Sequence, residues 1–131
     1  MKSSKGIHIA LWVAQGLLAV AFILSGVMKI TSPMEELAAN GMTFVDHFSE
    51  GMVRFIGISE VLGGLGLILP SLSRIKPILT PIAALGLATV MILAMVYHLS
   101  VGEPIVPNIV LLAIAAFIAW GRMAKAPILA K

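Results

Sequence analysis

Residues 55–69 read FIGISEVLGGLGLIL, an apolar run carrying one carboxylate, Glu60, among glycines. Such a run is either a core helix of a water-soluble domain or a span lying in lipid. Composition decides between them. The 131 residues are 60% hydrophobic and 11% charged, whereas soluble domains are about 45–50% apolar and about 25% charged. Too little polar surface remains to cover a globule in water. The chain reads as a membrane protein of one domain, residues 1–131. With no cysteine, disulfides, thiolate catalysis, thiolate metal sites and Fe–S clusters are excluded.

Outward from this run, three further segments reach the length of about 20 apolar residues that a hydrocarbon core requires. The spans are expected at residues 7–30, 52–70, 77–99 and 105–121, the last of them short. The first follows a basic start, but its apolar run is too long for a signal peptide and no cleavage site of small residues follows. The expected fold is all-α, a transmembrane four-helix bundle with a short interfacial helix between the first and second spans.

Charge orients the bundle. Lys2, Lys5, Arg74, Lys76, Arg122, Lys125 and Lys131 fall at the termini and in the second connection, where there is no acid. The six acids (Glu35, Glu36, Asp46, Glu50, Glu60 and Glu103) fall toward the other side, where only Lys29 and Arg54 are basic. The positive-inside rule puts both termini in the cytoplasm and makes this a multi-pass protein of the inner membrane. Trp12 and Trp120 suit the cytoplasmic interface. The seven inner cations are dispersed and lack interleaved aromatics, so they answer to topology and anionic lipid, not to nucleic acid.

The outer connection opens TSPMEEL (31–37), where Ser32 is expected to cap, Pro33 to take the first helical position and Glu35 to close a capping box. Asn40–Gly41 suits a helix terminator. MTFVDHFSEGM (42–52) is expected along the interface, with His47 solvated. No phosphate loop, metal-spaced histidine pair or nucleophile triad occurs.

Polar residues gather in the outer half of the spans. Glu60 lies roughly 12 Å deep at about 1.5 Å per residue. Gly57, Gly63 and Gly64 share its helix face and allow close helix packing. Ser25 and Lys29 end the first span, Tyr97 and His98 end the third, and Asn108 opens the fourth beside Glu103. The inner half offers only Gln15 and Thr80, with Thr89 near the middle. The expected site is an outer-half pocket of Ser25, Lys29, Glu60, Tyr97, His98 and Asn108. Glu60 is either a structural staple, bonding Lys29, Tyr97 or helix backbone, or a ligand contact. Lys29 either joins it or snorkels to lipid phosphates.

FILSGVMKI (22–30), IGISEVLGGLGLILP (56–70), SLSR (71–74), VYHLSVGEP (96–104) and the closing WGR (120–122), in this order, resemble the DoxX-like family of small four-helix membrane proteins. The resemblance covers about residues 10–122 and points to Lys29, Glu60 with its glycines, Arg74, and His98 with Glu103. It implies a membrane accessory to quinone-linked or thiol-linked redox processes, or an assembly chaperone, and not an enzyme acting alone. A cysteine-based redox role does not carry over. The expectation is a protein that holds a quinone or lipid, without metal or Fe–S. Its partners would be membrane lipids and a membrane protein or a second copy of itself.

Overall fold

A computed structural model of the chain describes residues 5–131; Lys2 and the rest of the basic start before Lys5 lie outside the described residues. Four long helices form a bundle: α1 (Lys5–Thr31), α3 (Glu50–Ser73), α4 (Leu79–Ser100) and α5 (Val106–Trp120), the last extended by a π-helical turn, Gly121–Lys125. A short α2 (Met34–Ala39) and a 3-10 turn (Thr43–Asp46) bridge α1 to α3. All four long helices are long and apolar enough to cross a membrane. This is a multi-pass membrane protein.

The helices are apolar all round, as lipid exposure demands. Leu17, Leu24, Leu62 and Leu93 stand on the outer surface, each more than half exposed. In water they would form an extensive apolar patch, so their solvent is the acyl chain. Inside, Leu18, Phe22, Leu67, Leu87, Met91 and Ile118 form the common core.

The observed helix starts depart from expectation at α2 and at α3. Ser32 and Glu35 form no capping box: Pro33 is the N-cap of α2, and no side chain caps it. Its extended backbone (φ −60, ψ 151) already has cap geometry, and its carbonyl accepts from Glu36 and Leu37. α2 does stop at Asn40, and Gly41 follows at φ +87, a left-handed position that glycine fills without strain. α3 begins at Glu50 rather than residue 52, because Ser49 caps it by accepting from the Met52 amide at 3.2 Å.

Pro70 does not end the second span; α3 runs through it to Ser73. A proline inside a helix removes the bond to the carbonyl four residues earlier, here that of Gly66. Thr80 of α4 supplies the replacement, its hydroxyl donating to Gly66 O at 3.1 Å. The lost backbone bond has become an interhelical one.

The end of the bundle that carries the termini is more polar inside than expected. Arg122, counted from sequence as a cytoplasmic loop cation, is only 2% exposed. The π turn folds it back into the bundle. Its Nε donates to Gln15 Oε1 at 2.7 Å and its Nη1 to Ala126 O at 2.8 Å, with His8 Nδ1 at 3.0 Å. Gln15 Nε2 donates in turn to Leu67 O at 2.6 Å, and Ser71 and Thr80 share a 2.7 Å bond beside it. This network ties α1, α3, α4 and the π turn together.

Candidate functional site

The site begins with a steric fact. α1 and α3 cross at Gly26 and Gly57 with nothing between their backbones. A Cβ on Gly26 would lie 2.5 Å from Gly57 O, and one on Gly57 would lie 2.8 Å from Gly26 O. Gly64 extends the seam, facing Ala19 and Ile23 of α1. Gly63 faces the other way, onto Leu87 of α4. The glycines around Glu60 therefore serve two neighbours.

That crossing brings Glu60 opposite the last turns of α1. Lys29 Nζ lies 2.6 Å from Glu60 Oε1 and donates to Ser25 Oγ at 2.9 Å; Ser25 Oγ reaches Glu60 Oε1 at a long 3.5 Å. Both charges are buried, Lys29 at 9% and Glu60 at 2% exposure. Lys29 therefore turns inward instead of snorkelling. Its ammonium stands 5.5 Å from the centre of the Phe44 ring, a cation–π distance. Arg54, one turn before Ile58 on α3, fixes the backbone beneath: its Nη1 donates to Lys29 O at 2.8 Å and Ser32 O at 2.6 Å. Lys29 O is one of the last four carbonyls of α1, which lack helical partners and carry the negative end of its dipole, and Ser32 directly follows the helix.

The pair forms part of the wall of a cavity of about 750 Å³. Ser25, Lys29, Glu60, Tyr97, His98 and Asn108 all line it, with Phe22, Ile56, Met91 and Leu111 among its apolar surfaces. The cavity has a side opening. α3 and α4 touch where Gly63 meets Leu87 and Gly66 meets Ala83. Farther toward the α2 end, Phe55, Leu93 and Val96 line the cavity while remaining 64%, 64% and 62% exposed. The cavity therefore opens between α3 and α4 onto the lipid-facing surface.

Over the cavity lies the 3-10 turn, with Phe44 and Phe48 packed on Tyr97 at ring-centre distances of 6.5 and 5.6 Å. One hydrogen-bonded chain fastens it. Thr43 donates to Glu103 Oε2 at 2.8 Å, so the Tyr97 hydroxyl, 2.9 Å away, must donate to Thr43. His98 Nδ1 meets Glu103 Oε1 at 2.8 Å. His47 is exposed, with its ring 5.9 Å from that of Tyr97. Asn108 points its amide at Met91 Sδ at 3.8 Å, a weak contact. Thr43, Phe44, Phe48 and Arg54 were not among the residues expected here. The sequence alone puts 42–52 along the interface and gives Phe44 and Phe48 no part in a site.

The bonds from His98, and then Thr43, hold the Glu103 carboxyl below the ordinary value of 4.5. A depressed carboxylate contributes stability that is complete above its unfolded value and lost as pH falls through the folded one. Amide protection at residues 43–46 is therefore expected to decline once pH drops below 4.5, and Glu103→Gln is expected to remove that acid dependence. Unchanged acid dependence in the variant would place the titrating group elsewhere.

The model of a family described as the DoxX-like family matches residues 13–121. No curated protein and no solved structure matches the chain.

Proposed function

The chain belongs to the DoxX-like family, and on that premise we propose that residues 1–131 form one membrane domain that holds a small amphipathic molecule, quinone-like or lipid-like. The protein acts as an accessory to membrane redox processes and does not catalyse alone. Ser25, Lys29, Glu60, Tyr97, His98 and Asn108 form the polar end of the binding site, and Glu60 orients the head of the guest. The observation that carries this reading is a buried ion pair on the wall of an open, largely apolar cavity of about 750 Å³. A pair serving only to register two helices would be better sealed from such a space. The volume falls within the range of roughly 300–1,000 Å³ common for small-molecule sites.

The protein sits in the inner membrane with both termini cytoplasmic, so the cavity lies in the outer half. The charge split supports this orientation. Because the chain has no cysteine, single cysteines report topology cleanly. One at Ser49 is expected to react with an impermeant thiol reagent in intact cells, and one at Ser73 to stay protected. The opposite pattern would invert the protein and turn the cavity toward the cytoplasm.

The binding role is tested by mass spectrometry of lipophiles retained in mild detergent. A stoichiometric guest is expected in the wild type and lost in Glu60→Gln. A guest retained equally in both would remove Glu60 from the site. A second reading is an assembly chaperone or scaffold that uses its helix faces, with a membrane protein or a second copy as partner. Gly86 favours it: exposed on α4, it has no atom within 4 Å of where a Cβ would stand, so a foreign helix can approach there. A co-purifying membrane protein with no bound lipophile would favour this second reading.

A further inference from the structure

The donors and acceptors around the cavity are unequally engaged, and this narrows the guest. The inference rests on the binding role proposed above. Lys29 directs its ammonium at Glu60 Oε1, Ser25 and the Phe44 ring. Ser25 turns its hydroxyl toward Glu60. Tyr97 donates to Thr43, and Thr43 to Glu103. Ser59 and Ser100 donate to the carbonyls of Phe55 and Tyr97. A carboxylate that accepts from Thr43 makes the His98 Nδ1–H the donor in their bond.

The unengaged acceptor capacity among the lining residues centres on Glu60. Among the described residues, Glu60 Oε2 receives no hydrogen bond, and it is not sealed away as a buried orphan. Asn108 Oδ1 is likewise without a bonded donor among the described residues. Donor capacity remains at the Asn108 amide, facing the Met91 sulfur, and at the third N–H of Lys29, on the side of the Phe44 ring. A guest whose head only accepts would strip water from these acceptors and return nothing, leaving them unsatisfied. An anionic head would also meet the Glu60 carboxylate, which already engages the single lining ammonium, that of Lys29.

We infer that the cavity selects a neutral lipophile bearing a hydroxyl, which enters through the lipid-facing gap between α3 and α4 and donates to Glu60 Oε2. Phenolic or quinol-type rings and the glycerol hydroxyls of a partial acylglycerol share this chemistry. Carbonyl-only quinones do not.

The test uses matched probes on the wild-type protein in detergent, with binding read by titrating the thermal transition. One pair is 4-dodecylphenol and its methyl ether; the other is monododecanoylglycerol and its dimethyl ether. Each ether keeps the oxygens and replaces every donor hydrogen with a methyl group. A donor to a charged acceptor is expected to favour the hydroxyl form by roughly tenfold to a hundredfold. Selectivity in the first pair alone identifies an aromatic guest, and in the second alone a glycerolipid; either supports the inference. Saturable binding with equal affinities within both pairs, or tighter binding of the ethers, overturns the hydroxyl requirement and leaves the cavity's binding role standing. No saturable binding of any probe overturns both.

Discussion

Lys29→Met is expected to destabilise the bundle by about 3–5 kcal/mol, because it leaves Glu60 charged and without its partner in a low-dielectric site. Glu60 is 2% exposed, and only the long contact from Ser25 would remain. Glu60→Ala is expected to cost a similar amount by stranding the ammonium. The double variant Lys29→Met with Glu60→Gln should recover a substantial part, since neither group is then an unpaired charge. The check is a double-mutant cycle read by melting in detergent. Effects that simply add would mean that the 2.6 Å pair does not couple the two helices. The pair can serve as staple and cavity wall at once: Oε1 holds α1, while Oε2 remains available.

The second large effect is steric. Gly57→Ala and Gly26→Ala each place a methyl against a backbone carbonyl of the opposing helix, at 2.8 and 2.5 Å. A carbonyl cannot swing aside as a side chain does, so the helices must separate. Overpacking of this kind costs roughly 1–3 kcal/mol, occasionally more, and here it would also draw Lys29 away from Glu60. Gly16→Ala and Gly86→Ala are the controls, with nothing within 4 Å of the added methyl. They are expected to be neutral, or to gain up to about 1 kcal/mol from helix propensity. Equal melting temperatures across all four variants would refute the close crossing. Gly63→Ala should fall between, because the obstacle is the Leu87 side chain, which has rotamer freedom.

Much of this architecture was legible because membrane spans announce themselves by length and apolarity. The placement of Glu60 against a helix followed from Gly57 and Gly64 at its i−3 and i+4 positions. Sequence did not choose between an inward and a snorkelling Lys29, since both suit a cation at the last turn of a helix. The structural choice depends on Gly26, where a Cβ would collide with Gly57 O, a closeness that has no counterpart in periodicity. Arg122 misled for a related reason. Charge rules sort a terminal arginine into the loop, and only the π turn carries its guanidinium back to Gln15. Pro70 likewise looked like a helix stop because the compensating hydroxyl, Thr80, belongs to the next span. Thr43, Phe44 and Phe48 carry no periodic signal at all; their places over the cavity come from long-range contacts with Tyr97.

Photo-crosslinking can show whether a lipophile occupies the cavity beside Lys29 and Glu60. A dodecylphenol carrying a diazirine near its ring, added to the protein in membranes and irradiated, is followed by peptide mapping. Phe22 and Met91 are only 2% and 5% exposed yet line the cavity, while Leu17 and Leu85 face lipid at 63% and 47% exposure. Crosslinks concentrated at Phe22, Met91 and Phe55, and competed away by unlabelled dodecylphenol, are the predicted result. Labelling confined to outward residues such as Leu17 and Leu85, indifferent to competitor, would mean that the lipophile only coats the outer surface and the cavity holds none.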